Sequence, residues 1–195
     1  MKNIFYKNYL FVMAAIAVIA CNLITPQITM AAEKAYLKNI IITNNRDYLI
    51  SYFDVKQAFT EDMKQAVLNG VPTTFSFLIS IYRPRGVWFD KKISGKEITS
   101  TLKYNSLKEE FTVYRPWSTS QTSVTKSFDQ AKIKMTEIDN LQVVPLASLK
   151  KGEKYQLRIK AELDRVTLPL YLHYVFFFVS WWDFETDWHT IDFIY

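Results

Sequence analysis

Tyr155-Gln156-Leu157-Arg158-Ile159-Lys160-Ala161-Glu162-Leu163 alternates apolar and polar side chains without a break. Successive side chains of a strand point to opposite faces, so this spacing predicts a strand with one face in a core and the other in water. The same period recurs on either side. Residues 73–82 place Phe75, Phe77, Ile79 and Ile81 on one row. Residues 97–104 set Ile98, Leu102 and Tyr104 against Glu97, Thr99, Thr101 and Lys103. Residues 36–43 and 48–55 are apolar on both faces in places, and the Asn44-Asn45-Arg46-Asp47 run between them reads as a hairpin turn. Residues 111–114 make a shorter strand, and 173–180 form a continuous apolar run, read as a strand buried on both faces.

Two short helices interrupt this pattern. Thr60 can cap the first, Glu61 and Asp62 suit its positive end, and Met63, Ala66 and Val67 make its inner face. Asn69-Gly70 is its stop, because glycine adopts positive φ freely. Ser127-x-x-Gln130 fits a capping box for the second, with Ala131, Met135 and Ile138 at i, i+4 and i+7. The polar stretch 117–125 reads as a mobile loop. Many short strands with few strand–helix–strand signals predict a mainly β protein: an antiparallel, immunoglobulin-like β-sandwich with two short inserted helices. The length, 195 residues, suits one such domain over 33–195.

The first 32 residues read as an address. Lys2 and Lys7 precede an apolar stretch over 9–24, Pro26 ends any helix, and Ala31 and Ala32 are small, which is the layout of a signal peptide. Cleavage after Ala31 puts Thr29 at −3, closer to the small-residue rule than cleavage after Ala32, which puts Met30 there. A rival is Val18-Ile19-Ala20-Cys21, which resembles a lipobox, with Cys21 lipidated and holding the chain on a membrane face. A third outcome is an uncleaved anchor, although the apolar stretch is short of the ~20 residues a span needs. Loss of Lys2 and Lys7 lowers the net charge from +5 to +3, and the chain has no basic block. Export and modest charge together argue against a nucleic-acid partner.

Catalytic and metal motifs are thin. One Cys excludes a disulfide framework, and two His leave little room for histidine-rich metal chemistry. The row Asp183, Glu185, Asp187 beside Trp181, Trp182 and Trp188 is the one acidic cluster. Alternation there predicts a final strand with Trp182, Phe184 and Trp188 on its core face and the acids in water. The spacing resembles the start of a calcium loop, but Trp188 stands where glycine is needed. Acids beside tryptophans also suit a sugar hydrolase, the third functional alternative. After Asp187 the apolar phase shifts to Ile191, Phe193 and Tyr195, which requires a bulge or turn near Trp188-His189. No metal and no cofactor is expected.

The ordered set Asn69-Gly70-Val71-Pro72, Trp88-x-Asp90, Leu102-x-Tyr104-x-x-Leu107, Leu149-x-x-Gly152-x-x-Tyr155, Leu163-Asp164 with Leu168-Pro169, and Ser180-Trp181-Trp182 resembles an exported bacterial family, domain of unknown function 4390. The resemblance runs from about Tyr36 to Asp192. It implies a periplasmic or membrane-anchored envelope protein of a Gram-negative bacterium. Relatives are often encoded beside a membrane sensor kinase of the nitrogen-regulation type. The family carries no established catalytic residue.

These readings lead to a non-enzymatic expectation: an envelope protein-binding module, accessory to a membrane sensor's outer domain. The alternative is a lipid- or hydrophobic-ligand-binding protein that acts through its aromatic C-terminal half, in a pocket opened between the sheets; association with the membrane surface is a separate expectation. The candidate binding residues are Arg83, Arg85, Trp88, Asp90, Trp181 and Asp183, with Trp88 expected to pack over an opening of the sandwich.

Overall fold

A computed structural model describes residues 34–164 and 184–195. Expectations on the signal segment, Cys21, residues 173–180, Trp181, Trp182 and Asp183 lie outside the described residues.

The chain is mainly β. Its strands are β1 (Tyr36–Asn44), β2 (Tyr48–Lys56), β3 (Thr73–Arg83), β4 (Lys91–Asn105), β5 (Glu110–Tyr114), β6 (Thr122–Thr125), β7 (Glu137–Pro145), β8 (Lys154–Leu163) and β9 (His189–Ile194). Helix α1 (Glu61–Leu68) joins β2 to β3, and α2 (Phe128–Thr136) joins β6 to β7. Among the described residues two antiparallel sheets result, one in the order β1-β2-β7 and one in the order β6-β5-β4-β3-β8-β9.

The alternating rows account for the core. Phe75, Phe77, Ile79 and Ile81 of β3 face the same way as Leu157, Ile159 and Ala161 of β8, and all are essentially solvent-free. From the smaller sheet, Phe53 of β2 meets Phe77 edge to face at 5.9 Å. Aromatic pairs favour such offset geometries.

Both helices start as their caps dictate, and α1 also stops on its cap. Thr60 Oγ1 accepts from the Met63 N–H, and Met63, Ala66 and Val67 are buried. At the other end Gly70 has φ +87°. Its N–H donates to the Val67 carbonyl while the Val71 N–H reaches back to the Ala66 carbonyl, so the last turn's acceptors are satisfied. Ser127 Oγ accepts from the Gln130 N–H at the start of α2.

Four local expectations change. Helix α2 ends at Thr136, and Ile138 belongs to β7, a strand the sequence pattern had hidden. Asn140 has φ +51° and the register between β2 and β7 shifts beside it, so the inward residues Ile138, Leu141 and Val143 lose strict alternation and mimic a helical spacing. Residues 117–125 are not merely a loop. Thr122–Thr125 pairs with β5, and the Arg115 N–H donates to the Gln121 carbonyl across its mouth. β4 starts at Lys91, well before the alternating stretch at 97–104. Trp188, expected on a core face, is half exposed, while Phe184 stacks on Phe75 with ring centroids 4.8 Å apart. The change of phase after Asp187 does occur: Ile191 and Phe193 face the inner side of β9 and Asp192 the outer.

Candidate functional site

β3 and β4 form the longest hairpin of the larger sheet, paired from Thr73↔Leu102 to Arg83↔Lys91. Pro84 carries no N–H and Gly86 no side chain, so the strand ladder ends at Arg83 and residues 84–90 make an irregular tip. Val87, Trp88 and Phe89 at its apex are 97%, 73% and 88% exposed. Three consecutive large apolar side chains in water are unusual on a folded surface, where a turn is ordinarily polar.

The tip is braced from outside. On its first side Arg83 Nη2 lies 2.7 Å from Glu153 Oε1, just before β8. On its second side Asp90 pairs with Arg158 of β8, both side chains about two-thirds buried. Arg158 also lies 4.2 Å over the Tyr82 ring and donates to Gln156 Oε1 at 2.6 Å. Charge, ring face and amide together hold one guanidinium, and through it the returning limb of the tip. Beside the tip, Pro84, Lys154, Gln156, Asp192, Phe193 and Ile194 line an open hollow of about 450 Å³.

The candidate residues therefore separate. Arg85 and Trp88 are exposed on the tip, whereas Arg83 and Asp90 are occupied in the braces. Trp88 does not pack over an opening of the sheets: the tip projects it into solvent. Trp181, Asp183 and Cys21 lie outside the described residues.

The remaining members of the acidic row are engaged by lysines. Lys160 Nζ donates to Glu185 Oε2 at 2.5 Å, and Lys34 Nζ to Asp187 Oδ1 at 2.7 Å. The hydrogen bond to Glu185 raises the pKa of Lys160, and that to Asp187 raises Lys34 in the same way. Backbone bonds fasten this segment to β8: Leu163 N–H to the Phe184 carbonyl, and Thr186 N–H to the Ala161 carbonyl. Among the described residues no group of three or more His, Cys, Asp or Glu is placed to hold a metal ion.

Two other hollows are less suited to a ligand. One of about 200 Å³ lies between the starts of the helices over Phe59 and Phe128, where Lys64 already pairs with Glu61 and Lys132 with Asp129. The other, about 430 Å³, runs along the outer face of β3 and β4 beneath Trp188 and is crossed by the Lys92 side chain near Gly95.

Sequence reasoning had passed over Val87, Phe89, Lys91 and Lys92. Their signal was present: the apolar run Val87-Trp88-Phe89 interrupts a turn and is bracketed by Arg85 and Lys91-Lys92. A family model described as "Domain of unknown function (DUF4390)" matches residues 32–192. No curated protein and no solved structure matches the chain.

Proposed function

We propose a function from the premise that this chain belongs to the domain of unknown function 4390 family: it is a non-catalytic binding module of the cell envelope, and the β3–β4 tip is its contact end. The observation that carries this reading is the braced display of Val87, Trp88 and Phe89 in water. Contact energy concentrates in a few large apolar side chains held in place before binding. The export segment read at 1–32 supports this, as does the periplasmic or membrane-anchored destination in a Gram-negative bacterium that the family resemblance implies. A module of this kind serves a partner at the membrane face, such as the outer domain of a membrane sensor.

The architecture is read as an immunoglobulin-like sandwich. β2 pairs with β7 in one sheet, while β3 pairs with β8 and β8 with β9 in the other. Those are the pairings of strands B with E, C with F and F with G in that fold. Loops held on a rigid sheet scaffold commonly carry binding, and the tip is such a loop.

The test is site-specific photo-crosslinking in living host cells. A photoreactive residue at position 88 is expected to yield adducts with an envelope component, and the same residue at the exposed Lys103 of β4 to yield none. Absence of adducts from position 88 would sink the assignment of the contact end.

A further inference from the structure

We infer that the β3–β4 tip docks on an anionic lipid bilayer, its apolar apex entering the headgroup region and its cations meeting the lipid phosphates. This rests on the reading of the tip as the contact end and names what that end touches. The apex is convex and apolar, and a tryptophan beside a phenylalanine is favoured where water meets lipid. Around it the charge is of one sign. Arg85 and Lys91 are exposed and have no ion-pair partner among the described residues, whereas the Lys92 side chain runs along β4 toward Gly95. The acids that flank the tip, Asp90 at its end and Glu153 just before β8, are engaged by Arg158 and Arg83.

The strand register extends this cationic collar. β8 begins at Lys154, opposite the exposed Ile194 of β9, and the segment leading into it carries the exposed Lys150 and Lys151. These lie at the same end of the sheet as the tip, because Tyr82 pairs with Gln156. The first hairpin turn, with Arg46 and Asp47, is also at this end, since the Leu146 N–H donates to the Asp47 carbonyl. Among the described residues Asp47 and Asp192 are thus the acidic side chains there without a cation on them, against five exposed cations of the tip and the β8 approach, Arg85, Lys91, Lys150, Lys151 and Lys154. A surface of that composition is complementary to an anionic membrane and falls in affinity as salt screens it. The braces leave the tip ordered before contact, so docking does not have to freeze it.

The experiment uses the protein purified in its host-matured form, with vesicles of phosphatidylcholine alone or containing phosphatidylglycerol. Wild type is expected to float with the anionic vesicles and to be released by salt. Trp88→Ser/Phe89→Ser is expected to weaken binding at least tenfold. Arg85→Gln/Lys91→Gln is expected to weaken it about twenty-fivefold, at roughly fivefold per charge, on anionic vesicles alone. Brominated phosphatidylglycerol locates the apex. The chain has 5 tryptophans, so the quenching lost in Trp88→Phe, which keeps an apolar apex, belongs to Trp88, whatever the N-terminus carries. Unchanged thermal unfolding shows that each variant is folded.

Equal binding to neutral and anionic vesicles overturns the inference, as does quenching that Trp88→Phe leaves unaltered. If the inference falls while position 88 still crosslinks to an envelope protein, the contact end stands and its partner is a protein. If neither vesicles nor crosslinks report the tip, both readings fall.

Discussion

Phe77 and Phe89 belong to one hairpin and have opposite fates. Phe77 lies in the body, has no exposed surface and touches the facing sheet through Phe53. Phe89 lies at the tip and is 88% exposed. The same side chain therefore holds the fold in one place and is offered to a partner in the other. The difference comes from register: Phe77 is paired on both edges, to Ile98 and to Ala161, whereas the tip extends beyond the start of β8. Removing each phenylalanine is the direct way to separate the two roles. Phe77→Ala is expected to cost about 3–5 kcal/mol, because it leaves a cavity in a closed core. Urea unfolding would show the midpoint falling sharply; a small loss would mean that the sheets close over the gap.

A smaller effect should come from the braces that separate body from tip. Asp90→Ala removes a partly exposed ion pair and frees Arg158 from one of its three holds, which is worth about 1 kcal/mol. A double-mutant cycle with Arg158→Ala should show coupling of that order. Hydrogen exchange should quicken over residues 84–90 more than over the strands. Additive single variants would mean that Asp90 and Arg158 do not brace the tip.

The braces also mark the limit of sequence reading here. Caps and alternation are local, so α1, β3 and β8 were legible from Thr60, Gly70 and the two apolar rows. The first hairpin turn was legible for the same reason: Asn45 Oδ1 accepts from the Asp47 and Tyr48 N–H groups, all within the turn. β7 was hidden because Asn140 shifts its phase, and β6 because Thr122-Ser123-Val124-Thr125 has no apolar row to announce it. The pairs Arg83–Glu153 and Asp90–Arg158 join residues far apart in sequence, and no spacing reveals them. Arg83 and Asp90 were thus read as contacts when their charges hold the loop. Val87 and Phe89 were passed over because apolar residues between strands look like more strand.

Next in size is the tie between β8 and the segment that leads into β9. The Glu185 hydrogen bond raises the Lys160 pKa above the ordinary 10.5. A raised folded-state pKa gives stability that is complete below the unfolded value and is lost as pH rises through the folded one. Wild type should therefore exceed Glu185→Gln in melting temperature by a constant margin from neutral pH up to about pH 10.5, and the margin should close above it. A margin that instead closed toward acid near neutrality would show that some other group carries the effect.

The smallest effect is expected at the apex, and it is the one that sharpens the comparison most. Val87, Trp88 and Phe89 make up the most exposed large apolar run among the described residues and lie outside the core cluster. Surface substitutions with no buried partner change stability by less than about 0.5 kcal/mol. Trp88→Ser/Phe89→Ser should therefore unfold with the wild-type midpoint, measured by thermal denaturation without lipid or partner. Two large aromatics would then be present at no benefit to the isolated fold, which makes their contribution a matter of what they meet. A clear loss of stability would instead place the apex against the body and return Phe89 to the role of Phe77. A gain would point the same way as no change, since apolar groups held in water oppose folding rather than support it.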